Sequence, residues 1–160
     1  MRLLFIALLS LLCISCASTP KPALNSVEIE EIKLRYIEKQ DFTRIGEFLS
    51  GHENTGDRMI FRSNPEIRSG YYFTLILDEK IERLLTGTTI TGEIYTPSAL
   101  DLKTYTFTLP AKRPKTKEIF IGLTDTDWPN KNGVANAWRF TIMGPNGEIL
   151  GSSQSYLWKM

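Results

Sequence analysis

"YYFTLILD", residues 71–78, alternates two sets of side chains along eight positions. Tyr71, Phe73, Leu75 and Leu77 fall on one face; Tyr72, Thr74, Ile76 and Asp78 fall on the other. Alternation with period two, in residues that are aromatic or β-branched, is the pattern of a strand with one face in a core. The same rhythm recurs outward from this stretch. "RMIFRS" sets Met59 with Phe61, "TTITGEIYTP" carries Ile90 and Ile94, and "KTYTFTLP" sets Tyr105, Phe107 and Leu109 against Thr104, Thr106 and Thr108. "KEIFIGLT" alternates Ile119, Ile121 and Leu123, and "AWRFTIM" alternates Trp138, Phe140 and Ile142, so one sheet face is expected to carry each set inward.

Turn chemistry separates these runs: "SNPEIRSG", "TPSALDLK", "AKRPKTK", "WPNKNGVANA", and "GPNGE" at 144–148 as a hairpin turn. After it, "ILGSSQSYLW" offers a last strand ending in Tyr156 and Trp158. Near the start, "VEIEEIKLRYIEK" alternates at Ile32, Leu34 and Tyr36, which favours a strand, while Ile29, Ile32 and Tyr36 also fall at helical spacing. A short helix is expected within "DFTRIGEFLS", residues 41–50.

Seven or eight short strands with little helix predict an all-β protein, an antiparallel β-sandwich. By pattern it resembles the immunoglobulin and fibronectin type III sandwiches, although the Cys–Trp–Cys signature of antibody domains is absent. A membrane barrel would need strands of about 9 to 11 residues with an uninterrupted apolar outer face, and these runs are shorter and rich in Thr.

The N-terminus carries a different kind of signal. "MRLLFIALLSLLCISC", residues 1–16, has one early basic residue and then an apolar run broken by Ser10. It is too short for the roughly 20 apolar residues of a spanning helix and suits a secretory signal. Ile14, Ser15 and Cys16, approached by Leu11 and Leu12, resemble the end of a bacterial lipoprotein lipobox, with Cys13 where Leu is usual. The resemblance implies a signal peptide over residues 1–15 and a lipid-modified Cys16 as the first mature residue. Because Ala17 follows rather than Asp, it also implies delivery to the outer membrane, facing the periplasm or the cell surface. Ser15-Cys16-Ala17 also reads as small-x-small, so ordinary cleavage after Ala17 is the alternative.

Residues 16–26 read as a lipidated N-terminus and flexible tether, since "ASTPKPALNS" is small, polar and punctuated by Pro20 and Pro22. Residues 27–160 then form a single β-sandwich domain, about 134 residues long and large enough to bury a core without staples. Loss of Arg2 with the signal leaves 18 basic residues against 18 acidic ones. Such a balance gives no electrostatic case for nucleic acid. With Cys13 removed and Cys16 acylated, the mature fold offers no disulfide, thiolate metal site or cysteine nucleophile.

Candidate chemistry is sparse. The single histidine, His52, stands in the polar run "SGHENTGD" and reads as solvated; no GxSxG elbow is present. "DTDWPNKNG" superficially suggests a calcium loop, but counting back from Gly133 puts Trp128 at the first ligand place. Asp125, Asp127, Trp128 and Asn130 instead form the candidate binding loop, with Trp128 either lidding the core or exposed for stacking. Core packing is the expectation for Trp138 and for one of Tyr71 and Tyr72. No metal and no cofactor are expected. The reading is a lipid-anchored, non-catalytic envelope lipoprotein, a binding or structural module for an envelope protein or glycan. Its alternatives are a carbohydrate-binding surface module and a small envelope hydrolase, whose paired carboxylates would be a spatial property.

Overall fold

The computed structural model describes residues 22–96 and 102–159. The signal segment, Cys16 and the first part of the expected tether lie outside the described residues, as do positions 97–101 of the turn in "TPSALDLK". Eight strands form two four-stranded sheets. They are β1 (Ile29–Ile37), β2 (Met59–Arg62), β3 (Gly70–Leu77), β4 (Thr89–Tyr95), β5 (Leu102–Thr108), β6 (Glu118–Thr124), β7 (Ala137–Met143) and β8 (Ile149–Gln154). One sheet has the order β1-β3-β6-β2 and the other β5-β4-β7-β8. The all-β sandwich expected from the alternation is therefore present.

Its connections repeatedly cross from one sheet to the other, as in sandwiches of the immunoglobulin kind. One pairing departs from an antiparallel plan. β2 runs parallel to β6, with Met59 opposite Ile119 and Arg62 opposite Gly122. The chain reaches this edge through a 21-residue excursion, residues 38–58, which no periodic pattern in the sequence announced. The excursion holds two short helices, α1 (Lys39–Phe42) and α2 (Ile45–Ser50), where a single helix was expected. From β2 the chain must pass the end of β6 to reach β3. Thr124 pins that passage: its hydroxyl accepts from the Asn64 N–H at 2.9 Å and donates to the Asn64 carbonyl at 3.1 Å.

The main core lies between the sheets. Phe73, Leu75, Leu77, Ile119, Ile121 and Leu123 face Ile90, Ile94, Phe140 and Ile142, all with no exposed surface. This is the alternating set read from the sequence. Gly92 makes room for the Phe140 ring, because a Cβ there would stand 2.7 Å from Phe140 Cε1. Trp138 points inward as expected but is half-buried, edge-on to Phe73 at 6.3 Å between centroids. β1 is a strand, with Ile32, Leu34 and Tyr36 turned toward the core. The last strand stops at Gln154; Tyr156–Lys159 is a 3-10 turn rather than its continuation. Within the described end of the expected tether, Leu24 packs against the core and the Arg83 guanidinium donates to the Pro22 carbonyl. The Val27 N–H donates to the Leu150 carbonyl at 2.9 Å.

A second, smaller cluster occupies the outer face of β3 and β6. Tyr72 and Phe120 meet Ile37 and Phe42 there, with the Phe42 and Tyr72 rings 4.9 Å apart. Hence β3 is buried on both faces, which explains why its outward set, Tyr72, Thr74 and Ile76, is less polar than a solvated face would be.

Phe140→Ala should cost about 3 to 5 kcal/mol, the usual range for a fully buried ring. Trp138→Ala should cost less, because part of that side chain already contacts water. Urea midpoints of the two variants rank them, and the reverse order would contradict the packing described.

Candidate functional site

The candidate loop follows β6 directly. Asp125–Asp127 forms one 3-10 turn, and Asp125 adopts a left-handed backbone, φ 58°, unusual for a residue with a side chain. Two bonds hold it there: the Trp128 N–H donates to the Asp125 carbonyl at 3.1 Å, and the Asn64 amide donates to the Asp125 carboxylate at 3.2 Å. This turn sends Trp128 back into the sandwich. Its ring is 3% exposed and stacks on Tyr71, centroids 4.2 Å apart and planes 14° from parallel. Trp128 therefore lids the core, and a stacking surface for a ligand cannot be made from it.

Asp127 points a different way, toward Lys103 of β5, whose ammonium lies 3.3 Å from its carboxylate. Partial burial pushes the Asp127 carboxyl up, but Ser63, Tyr105 and Lys103 outweigh it and hold the group below the usual carboxylate range. Burial, and then Asp127 nearby, push the Tyr105 phenol well above its ordinary value. Asn130 is exposed and closes its own turn, accepting from the Asn132 N–H at 3.0 Å. Thus the four residues diverge: Asp125 to Asn64, Asp127 to Lys103, Trp128 to Tyr71, Asn130 to its own backbone. Among the described residues no group of three or more His, Cys, Asp or Glu is placed to share a cation.

His52 stands exposed beyond α2, its N–H donating to Ser50 Oγ. The carboxylates of Glu47 and Glu53, before and after it in the chain, are committed to arginines. Arg62 makes a two-pronged pair with Glu53 at 2.6 and 2.9 Å, and Arg68 reaches Glu47 at 2.5 Å. The Arg68 guanidinium holds the Glu47 carboxyl below its usual range. The Glu47 carboxylate, clamped this way, is a poor proton donor at neutral pH, unlike the raised-pKa acid of a glycoside hydrolase.

Sequence reading passed over the outer face of the β5-β4-β7-β8 sheet. Thr106, Thr91, Thr141 and Ser152 stand opposite one another across four strands. Thr108 pairs with Thr89, and Glu93 with Arg139, joined at 2.6 and 2.8 Å. At one end the Arg139 guanidinium lies over the Trp158 ring, 4.8 Å from its centroid, with Tyr95 5.8 Å from Trp158. Tyr156 beside it is 85% exposed. The signal is the set Thr104, Thr106 and Thr108 in "KTYTFTLP", which alternation marks as the polar half of a strand.

No family model matches the chain, and neither a curated protein nor a solved structure matches it.

Trp128→Ala should lower stability by about 3 to 5 kcal/mol, as for other buried rings; an unchanged urea midpoint would contradict the lid. Asp127→Asn tests the polar half of the loop. A carboxyl with a lowered folded pKa stabilises the fold above its unfolded value, near 3.9, and ceases to do so as pH falls through the folded value. The variant should be less stable than the parent at pH 6, with the gap closing toward pH 3. A gap independent of pH would show that the Asp127 charge contributes nothing.

Proposed function

We propose that this protein is a lipid-anchored envelope lipoprotein whose sandwich domain acts without catalysis, as a binding or structural module. The observation that carries the reading is the lipobox-like "ISC" at 14–16, followed six residues later by the first described contact with the domain. Pro22 meets Arg83, and Leu24 packs against the core. An acylated Cys16 would thus be joined to a packed domain by little chain. Several acyl chains make anchoring stable where one gives only marginal binding. Delivery to the outer membrane remains part of the proposal, on the strength of Ala17. No helix of the described residues is long and apolar enough to cross a membrane, and the proposal calls for none.

A second reading, carbohydrate binding, is favoured by the outer face of the β5-β4-β7-β8 sheet rather than by the Trp128 loop. Rows of threonine hydroxyls and a terminal group of Tyr95, Trp158, Tyr156 and Arg139 supply hydrogen bonds and ring faces of the kind that hold sugars. On this reading, Tyr156→Ala with Trp158→Ala abolishes retention of the chain on immobilised envelope polysaccharide. Retention that survives both changes, or that is absent in the parent, contradicts it.

For the anchor, Cys16→Ser should release the protein from the membrane fraction. Inhibition of signal peptidase II should leave the parent unprocessed and slower in gels. A Cys16→Ser protein that still sediments with membranes, and a parent indifferent to the inhibitor, would overturn the lipoprotein reading.

A further inference from the structure

Among the described residues five arginines are partly buried: Arg62, Arg68, Arg83, Arg113 and Arg139. Four of them reach a carboxylate, that of Glu53, Glu47, Glu79 and Glu93 in turn. Arg113 reaches none among the described residues. Its Nη1 donates to Thr86 Oγ1 and to the Pro110 carbonyl, both at 3.1 Å and both neutral. These bonds fix the guanidinium and leave its Nη2 for a further acceptor. A charge drawn partly out of water is ordinarily matched by an opposite one. For Arg113 the chain supplies no such match.

The same side chain lines a hollow of about 460 Å³ between residues 55–60, which lead into β2, and the turn at 110–114. Arg58 and Lys112 line it too, both exposed and neither paired with a carboxylate among the described residues. The Arg58 guanidinium lies 5.8 Å from the centroid of the Phe120 ring. Asp57 is the one acidic residue in this lining, so three cations against one carboxylate leave an excess of two positive charges.

We propose that this hollow binds a phosphomonoester, with Arg113 as its fixed contact and Arg58 and Lys112 closing on the same group. The excess of two charges matches the dianion of a phosphomonoester better than the single charge of a carboxylate. Guanidinium forks also suit phosphate oxygens in geometry, and such charge-assisted bonds are the strong ones. The hollow is larger than a phosphate alone needs, and Pro110 and Pro114 offer apolar wall to whatever the phosphate is esterified to.

The hollow opens at the end of the sandwich where the chain enters. β2 begins there, with Met59 opposite Ile119, and β1 begins there, with Ile29 opposite Leu77. The Leu77 N–H donates to the Lys117 carbonyl and the Asp78 N–H to the Glu28 carbonyl, both at 3.0 Å, which sets the basic turn beside the entering chain. Arg113 also borders a second hollow shared with Ala23 and Arg83. The binding chemistry does not rest on the lipoprotein reading. Its source does: with Cys16 acylated, the chain from Cys16 to Pro22 spans at most about 22 Å, which brings phosphorylated lipid headgroups within reach of this end. A soluble phosphate ester is the other source.

The test uses the chain from residue 16 to Met160 with Cys16→Ser, so that no acyl anchor contributes. Two probes are titrated: glycerol 3-phosphate, followed by amide NMR shifts, and phosphatidylcholine vesicles carrying phosphatidic acid, followed by co-flotation. Saturable shifts confined to residues 55–60 and 110–114, or flotation that requires phosphatidic acid, support the site. The first response assigns a soluble ester and the second a headgroup. Arg113→Gln should weaken whichever response occurs at least tenfold, and Arg113→Lys should restore part of it. Arg58 and Lys112 are exposed, so Arg58→Gln with Lys112→Gln leaves the fold intact and should weaken the response several-fold. No response to either probe overturns the proposal, as does a response that survives all three substitutions to Gln. Acetate that moves the same signals at the same concentration also overturns the assignment to phosphate. Because the anchor is absent throughout, these outcomes are separate from the membrane-fraction experiment on Cys16.

Discussion

Tyr72 lies across Gly122, and the outer cover of the β1-β3-β6-β2 sheet hangs on that contact. A Cβ at position 122 would stand 2.4 Å from Tyr72 Cε1, so only glycine lets the ring cross from β3 over β6 toward β2. Its hydroxyl then accepts from Arg62 Nε at 2.9 Å and donates to the Arg68 carbonyl at 2.7 Å. Through Arg62 it is tied to Glu53, and through the Arg68 segment to Glu47 on α2. One phenol thus joins the edge strand β2, the loop before β3 and the helical excursion. Burial disfavours the Arg62 charge, but Glu53 and Tyr72 more than restore it and raise its pKa. A buried charge held by several partners is costly to disturb, because removing one partner leaves the others unpaired.

This cover explains two features at once. It buries the second face of β3, which allows Tyr72 and Ile76 to stand where a half-exposed strand would carry charge. It also fixes α2 by polar contacts, which leaves the apolar side of that helix free to project. The two broad flanks of the sandwich consequently differ in chemistry: one carries Ile45, Phe48 and Leu49, the other threonine rows with Tyr156 and Trp158 at one end.

Period-two alternation made the sandwich legible, because each inward set, such as Phe73-Leu75-Leu77 or Ile119-Ile121-Leu123, is apolar and its turns are rich in Gly, Pro and Asn. The "GPNGE" turn is where it was expected, with Gly147 at φ 84°. What stayed hidden depends on contacts between distant positions. Arg62 and Glu53 look like ordinary surface charges until Tyr72 brings them under α1 and α2, and nothing local reveals that β2 pairs parallel to β6. Trp128 was ambiguous for the same reason. Only the left-handed turn at Asp125, closed by Asn64 some sixty residues upstream, decides that the ring goes inward. The exposed face of α2 was equally hidden, since nothing local in "DFTRIGEFLS" tells that Glu47 is buried while Ile45, Phe48 and Leu49 face out.

The central structural claim is that one hydroxyl organises the outer cover while the sandwich core stands without it. Hydrogen exchange on Tyr72→Phe tests this most directly, because the substitution keeps the ring over Gly122 and removes only the bonds to Arg62 and Arg68. The account predicts markedly faster exchange over residues 38–58 and in β2, with exchange in β4 and β7 close to that of the parent. Unchanged exchange in the cover, or an equal loss of protection in both sheets, would contradict it.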